Sequence, residues 1–214
     1  NLSGEARKGI FTANLWSSYE YRPKAIMDEK FVEGNRIINT FDNQKSWQRL
    51  SVETTLKVKP LKDLLQVSAT GGVNHYLSDG NTYNHEYTNW FYRGDLSFVY
   101  KKVMLAFQIQ SNWNWFWGEN VYGGENYHLL QAKYNMKNCS IGLGVFNPFS
   151  DNYKVVNENW SQHATIKKAN YINESSRLVM VQFSWNLSFG RKYASAQKKL
   201  QNSDSDSGIV TNSK

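Results

Sequence analysis

Alternation of apolar and polar side chains at every second residue is the feature that most limits what this 214-residue chain can form. Between Val103 and Ile109 the odd positions are apolar, and Gln108 and Gln110 occupy even positions. Between Val179 and Phe189 apolar residues again alternate with polar or small ones. Successive side chains of a β-strand point to opposite faces of a sheet, so this period predicts strands with one apolar and one polar face.

Eight segments follow this rule, and they predict an all-β, antiparallel up-and-down barrel. In the fifth segment we expect Trp113, Trp115 and Trp117 to extend the apolar face. The eight segments are 11–21, 50–58, 65–73, 90–100, 103–117, 130–134, 139–145 and 179–189.

The predicted connections are of two kinds, short and long, and the two kinds alternate along the chain. Tight turns are expected at Pro60–Asp63, at Lys101-Lys102 and around Met136–Asn138. Barrels of bacterial outer membranes have short periplasmic turns and longer external loops. We therefore predict a transmembrane barrel, with the long connections projecting beyond the membrane as extended hairpins where they are longest. The long connections are 22–46, 78–88, 118–126 and 147–176.

Aromatic residues concentrate at the ends of the predicted strands, with aliphatic residues between them. Two such belts are typical of the two interfaces of a membrane. The alternative is aromatic cross-strand pairing in a soluble sheet. The belt at the long-loop ends comprises Tyr19, Tyr21, Trp90, Tyr92, Trp113, Trp115 and Trp117, and the other comprises Tyr100, Tyr134, Phe189 and Tyr193.

Composition agrees with strands rather than helices. Aromatic residues make up 15% of the chain, and the mean hydropathy is −0.63. No run of eighteen apolar residues is present, which excludes a transmembrane helix. A transmembrane barrel is not excluded, because only every second residue of its strands faces lipid. The net charge of +7 is spread along the chain, so we favour scattered surface residues over a nucleic-acid or anionic-lipid site. Because the chain begins Asn1-Leu2-Ser3-Gly4 without an apolar leader, we expect a removed signal or the tail of a longer protein.

No motif for catalysis or metal binding stands out. Cys139 is the single cysteine, and His75, His85, His128 and His163 do not pair at ligand spacing. The segment 204–208 resembles the start of a calcium loop but lacks the glutamate at the twelfth position. No GxSxG elbow marks a nucleophile. We therefore predict no enzyme activity, no cofactor, and no catalytic, cofactor-binding or metal residues.

Charges on the predicted polar face bear on how the barrel closes. They suit a wide, wet lumen better than the packed interior of an eight-stranded barrel. We predict that the strand at 11–21 does not pair with the strand at 178–189, which leaves a curved open sheet. Its aliphatic residues, such as Leu105, Val181 and Phe183, should lie on the convex side, with Arg93, Gln108 and Asn186 on the concave side. The charged residues are Glu53, Lys57, Arg93, Asp95 and Lys133.

Strand glycines and the C-terminus complete the pattern. Gly71-Gly72, Gly142 and Gly144 lie in strands and are interpreted as points of bending or close packing. Residues 1–193 are predicted to form the strands of the barrel. Residues 194–200 are compatible with a short basic helix, and the 194–214 tail as a whole is basic and polar, with 201–214 expected to be disordered.

Several short motifs give the chain a wider resemblance, which extends over nearly its whole length. It resembles the C-terminal portion of Bacteroidota-type outer-membrane β-barrel proteins of the TonB-dependent receptor class. The most specific match is the ending, Phe189–Tyr193 followed by 202–209. The other matching motifs are Tyr21-Arg22-Pro23, 43–47, Trp117-Gly118-Glu119 and Asn147-Pro148-Phe149.

The resemblance implies a location, a role and partners. Such proteins place a plug domain before a barrel of about twenty-two strands, so eight strands here would be the last eight. It implies a bacterial outer-membrane importer of a nutrient ligand, with lipid, the plug, the rest of the barrel, the TonB complex and a surface lipoprotein as partners. Two alternatives remain open: a structural or surface-binding barrel without a transport cycle, and a soluble carbohydrate-binding β-sandwich.

Overall fold

A computed structural model describes residues 1–150, 154–172 and 177–187. The described chain is all-β, and every pair of neighbouring strands is antiparallel. None of these residues belongs to a helix long and apolar enough to cross a membrane. The strands are β1 (Leu2–Lys8), β2 (Phe11–Pro23), β3 (Ile26–Glu33), β4 (Arg36–Asn43), β5 (Ser46–Val58), β6 (Leu65–Asp79), β7 (Asn84–Tyr100), β8 (Val103–Gln110), β9 (Trp115–Trp117), β10 (Asn120–Tyr122), β11 (Tyr127–Asn135), β12 (Cys139–Phe146), β13 (Lys154–Asn159), β14 (Ile166–Tyr171) and β15 (Leu178–Trp185).

Among the described residues, the main sheet has nine strands in the order β1-β2-β5-β6-β7-β8-β11-β12-β15. All eight predicted segments contribute to it, but the predicted number of eight strands is wrong because β1 adds a ninth. Within the described residues β2 pairs with β1 and β5, and β15 pairs with β12. The two ends of the sheet therefore do not pair with each other, as predicted, although the first edge is β1 rather than the strand at 11–21.

The alternation in sequence becomes two chemically different faces of this sheet. On β7, Trp90 is 76% exposed while its neighbour Asn89 is 5% exposed. Leu105, Val181 and Phe183 all lie on the exposed apolar face. Gln108 and Arg93 belong to the opposite, polar face, as the strand period requires. The faces were thus predicted correctly for these residues, whereas Asn186 lies beyond the end of β15.

Two connections differ from the prediction, one between β6 and β7 and one after β8. The turn at Pro60–Asp63 is present as predicted. The two-residue turn at Lys101-Lys102 and the turn at Met136–Asn138 are present as predicted. The predicted long loop at 78–88 is wrong, because β6 and β7 pair as far as Asp79 and Asn84 and leave four residues between them. The extra paired residues include His85 and Glu86, whose polar side chains gave no apolar alternation to reveal a strand.

Three longer connections form a second layer, which we call the cap: residues 24–45, residues 111–126, and the described residues 147–150 and 154–172 of the third connection. In the first, β3 and β4 form a hairpin. In the other two, four strands form a small sheet in the order β14-β13-β10-β9. The expected hairpins are therefore present, but they do not simply project outward, since they pack against the polar face of the main sheet.

The fifth predicted strand ends earlier than expected. β8 stops at Gln110, residues 111–114 are irregular, and β9 belongs to the small sheet. Trp113 stacks on Phe91 of the polar face, and Trp117 packs against Trp47. The prediction that Trp113, Trp115 and Trp117 extend the apolar face of the main sheet is therefore wrong, since Trp115 also lies in β9 of the small sheet.

Some predictions concern residues that are not described. Three predictions lie outside the described residues: the end of the last predicted strand at 188–189, the boundary at residue 193 and the tail at 194–214. The aromatic residues Phe189 and Tyr193 of the second predicted belt lie there as well.

Candidate functional site

Strand register arranges the polar face as rows of directly opposed residues across β2, β5, β6 and β7. Four rows matter here, numbered from the end of the sheet that carries the cap. Row one is Arg22, Trp47, Ser78 and His85; row two is Glu20, Arg49, Tyr76 and Tyr87; row three is Ser18, Ser51, Asn74 and Asn89; row four is Trp16, Glu53, Gly72 and Phe91.

Row three is a polar strip that is almost completely buried. Ser18, Ser51, Asn74 and Asn89 are 8%, 4%, 2% and 5% exposed. The Ser51 hydroxyl donates a 2.6 Å hydrogen bond to Asn74 Oδ1. Ser18 Oγ, Asn74 Nδ2 and Asn89 Nδ2 are buried without a hydrogen-bond partner among the described residues. Buried polar atoms are normally satisfied, so three unsatisfied donors in one row mark a place that fits a water or another polar group.

Rows one and two join charge and aromatic rings. Arg49 donates a 3.1 Å hydrogen bond from its guanidinium to Glu20, and Arg22 also binds Glu20. The Arg22 guanidinium lies 5.5 Å from the ring centre of Trp47 and 5.3 Å from that of Trp117. Guanidinium groups are attracted to the faces of indole rings, so this contact helps to hold β9 against the main sheet.

A small apolar core holds the cap to rows one and two. Met27, Trp47, Tyr76 and Phe116 are each at most 1% exposed, and Val121 joins them. The Trp47 indole nitrogen donates a 3.0 Å hydrogen bond to the carbonyl oxygen of Phe116. These side chains come from the main sheet and from two of the cap's connections, so the core fixes the cap onto the sheet.

Residues 111–126, which we call the strap, run along the polar face. At row four, the Trp113 ring lies parallel to Phe91 at 4.6 Å between ring centres, with an interplanar angle of 3°. At row two, Asn114 Nδ2 donates a 2.7 Å hydrogen bond to the Tyr87 hydroxyl. Row three lies between these two contacts, so the strap passes over the polar strip.

Close backbone approach lets the strap fit. A Cβ on Gly124 would overlap the backbone of Trp113, and a Cβ on Gly123 would overlap the backbone of Val156 in β13. Their amide groups bind the side-chain oxygens of Asn114 and Asn157 at 2.9 and 2.8 Å. The absence of side chains at these two positions therefore allows the strap to fold back on itself and to join the small sheet.

Polar contacts link the three connections of the cap to one another. Lys30 Nζ donates a 2.7 Å hydrogen bond to Asn159 Oδ1. Asn159 donates a hydrogen bond to Asn120, and Asn120 donates one to Asp28; both are 2.8 Å long. The chain of contacts runs from β3 through β13 and β10 back to β3, so the cap behaves as one linked layer.

A half-buried histidine and a buried glutamate lie at the edge of the cap core. His85 Nε2 is 3.6 Å from Glu119 Oε1, and Glu119 is 3% exposed. Tyr83 stacks on His85 with 5.3 Å between ring centres. Burial raises the pKa of the Tyr83 hydroxyl well above its ordinary value of 10.0. The phenol therefore remains neutral through the physiological pH range.

Some of the predicted polar-face charges bind neighbours on that face. Asp95 accepts a 2.9 Å hydrogen bond from Gln108, and Lys57 lies opposite Thr12 and Ser68. His85 joins the cap core, and His75 binds Thr88 at 2.9 Å. Within the described ranges, no group of three or more His, Cys, Asp or Glu residues could hold a metal ion.

The glycines divide into two kinds. A Cβ on Gly72 would overlap the ring of Phe91, its direct neighbour on β7, so close packing explains this glycine as predicted. A Cβ on Gly142 would meet no atom nearer than 3.7 Å. Gly142 lines a cleft of about 420 Å³ on the polar face, together with Ala106 and Met180. A Cβ on Gly144 would lie 3.2 Å from the Met180 side chain, so this glycine is packed more closely.

Aromatic residues at polar-face positions could have revealed the cap from the sequence. Trp47, Tyr76, Tyr87 and Phe91 occupy positions where the period of two predicts polar side chains. Large rings at such positions indicate that something packs on that face.

No protein-family model, curated protein or solved structure matches this chain. Its function is therefore argued from the two faces of the sheet, its edges and the cap.

Proposed function

We propose that this chain forms part of the wall of a bacterial outer-membrane β-barrel, with its apolar face against lipid and its polar face toward the lumen. The distribution of exposure is the observation that carries the proposal. In the described part of the chain, 43 large apolar side chains are exposed and eight apolar residues are buried. A water-soluble domain of this length would bury most of them.

The spacing of aromatic residues supports a membrane-spanning band. On β7, Trp90 is 76% exposed and Tyr100 is 49% exposed, with Leu96 and Phe98 between them on the same face. Ten residues of strand cover roughly 33 Å. At a tilt of roughly 40° this is roughly 25 Å along the membrane normal, the height of the apolar band of outer-membrane barrels.

The two edges of the sheet support a larger barrel. β1 and β15 each pair on one side only among the described residues. A backbone polar group left unpaired in lipid costs several kcal/mol, so a lipid-facing sheet must close. Closure through further strands fits the polar face, whose charges Arg93, Asp95 and Lys133 suit a wet lumen.

The resemblance to TonB-dependent receptors supplies the role that we propose. The parent protein would import a nutrient ligand through a plugged barrel, driven by the TonB complex and assisted by a surface lipoprotein. The cap supports this role because it places a folded layer at the long-connection end of the polar face, where a ligand would arrive.

Detergent phase partition and membrane fractionation test the location. We expect the full-length protein in the outer-membrane fraction and in the detergent phase, resistant to extraction by salt and alkali. Recovery in the aqueous phase would overturn the proposal and favour a soluble β-sandwich.

A second assay separates import from a purely structural role. We expect the periplasmic domain of the coupling protein to co-purify with the full-length outer-membrane protein. A correctly inserted protein that binds no coupling protein, from a gene that encodes no plug, would favour a structural or surface-binding barrel.

A further inference from the structure

The strap (residues 111–126) and the row that it crosses belong together physically. Row three presents three buried donor atoms without partners, Ser18 Oγ, Asn74 Nδ2 and Asn89 Nδ2, on three strands of the polar face. Polar groups arranged in this way are suited to contact a hydrogen-bonding molecule or water in an open lumen. In the structure they are covered instead.

The strap has contacts on both sides of row three. Trp113 stacks on Phe91 in row four, and Asn114 binds Tyr87 in row two. On the far side, Phe116 is 0% exposed and lies 5.5 Å from Tyr87 and 5.3 Å from Trp160 between ring centres. The strap is thus anchored by the cap core at one end. At the other end Ser111 forms hydrogen bonds with Tyr92 of β7, and Trp113 stacks on Phe91.

The two anchors differ in strength. Phe116 is fully enclosed, whereas Trp113 is 45% exposed and rests on Phe91 by a single ring face. Residues 111–114 form no strand. An exposed stack next to irregular backbone opens more easily than a buried core, so residues 112–114, which follow the hydrogen-bonded Ser111, are the part of the strap that can lift.

We propose that the strap closes the long-connection mouth of the lumen over row three, and that lifting of residues 112–114, with Trp113 leaving Phe91, is required for a molecule to reach that row. The inference rests on the proposed function, because it takes the polar face as the lumen. The inference adds a closed state of the lumen to that function, and it names the segment whose displacement would open the lumen.

Cysteine labelling tests the strap in the full-length protein. Cys139 is the single cysteine of this chain, so Cys139→Ser provides the background in which Ser51→Cys places a thiol in row three. A membrane-impermeant polyethylene-glycol maleimide is added to intact cells. Asn35→Cys, in the exposed turn between β3 and β4, serves as the accessible control.

We expect Ser51→Cys to react at least tenfold more slowly than Asn35→Cys while the strap is in place. Trp113→Ala, which removes the stack on Phe91 without altering the main sheet, should raise the Ser51→Cys labelling rate at least tenfold. It should leave the rate at Asn35→Cys unchanged. Replacement of residues 112–123 by a short glycine-serine linker should raise labelling of row three further.

Two results would overturn the proposed closure, and a third would overturn the proposed function as well. Equal labelling of Ser51→Cys and Asn35→Cys in the unmodified strap would show that the mouth is open. Unchanged labelling in both the Trp113→Ala and the linker variants, with the protein inserted, would show that the strap does not control access. Absence of the protein from the outer membrane would overturn the proposed function, and the closure with it.

Discussion

Phe116 is the residue whose removal should most clearly separate the cap from the sheet. Its ring is 0% exposed, and its partners Tyr76, Tyr87 and Trp160 lie 6.3, 5.5 and 5.3 Å away between ring centres. In Phe116→Ala the carbonyl group still accepts the Trp47 hydrogen bond, so the loss is confined to the ring. Truncating a buried phenylalanine costs about 3–5 kcal/mol.

That cost should appear as local opening rather than as loss of the wall. The main sheet has its own ladders, and most of these do not involve the cap. About 3–5 kcal/mol corresponds to roughly a hundredfold to a thousandfold or more in the opening equilibrium. Hydrogen exchange followed by mass spectrometry should therefore show amides at 115–122 losing protection by that factor, while those at 103–110 stay unchanged.

A matched control uses a residue of similar size on the apolar face. Phe183 is 64% exposed in the structure, so Phe183→Ala should leave protection at 115–122 unchanged. A change of less than tenfold in Phe116→Ala would refute the idea that this core holds the cap. Equal loss at 103–110 would show instead that cap and sheet open as one unit.

Three further predictions test the faces, the glycine and the tyrosine. Leu143→Arg, on the apolar face, should destabilise the inserted protein by about 2–4 kcal/mol in a folding titration into lipid. Gln131→Arg, on the polar face, should change the folding free energy by less than about 1 kcal/mol. Equal effects would contradict the assignment of faces. Gly72→Ala should displace the Phe91 ring and cost about 1–3 kcal/mol in the same titration. Tryptophan fluorescence from the strap should then be quenched less. An unaltered emission spectrum would count against the packing. Because burial raises the pKa of Tyr83, the unfolded chain loses the phenol proton at a lower pH than the folded chain does. Stability should therefore fall as pH rises above about 10. Tyr83→Phe should lessen that fall, and identical stability profiles of the two proteins from pH 8 to 11 would refute this prediction.

The sheet was predictable from the sequence because its period is a direct consequence of strand geometry. Positions such as Leu105 and Gln108 show the two faces without any knowledge of partners. β1 escaped prediction for the same reason. Its apolar-face positions hold Leu2, Gly4, Ala6 and Lys8, which include one large apolar side chain and thus no visible alternation.

The cap was not predictable from the period, since its core is made by residues far apart in the chain. Met27, Trp47 and Phe116 meet only after two of the connections fold onto the sheet. The alternation at Trp113 and Trp117 continues that of β8, yet the chain leaves the sheet after Gln110. Tertiary packing of these rings against the polar face outweighs the local preference for a longer strand.

Lipid contact of the apolar face is the central claim, and spin-label accessibility measures it most directly. Nitroxides at Leu105 and Leu143 on the apolar face, and at Thr55 and Gln131 on the polar face, are compared in the full-length protein reconstituted in phospholipid vesicles. The account predicts that labels at Leu105 and Leu143 collide often with oxygen, which concentrates in lipid, and rarely with a water-soluble nickel chelate. Labels at Leu105 and Leu143 that collide mainly with the nickel chelate, as labels in water do, would contradict it.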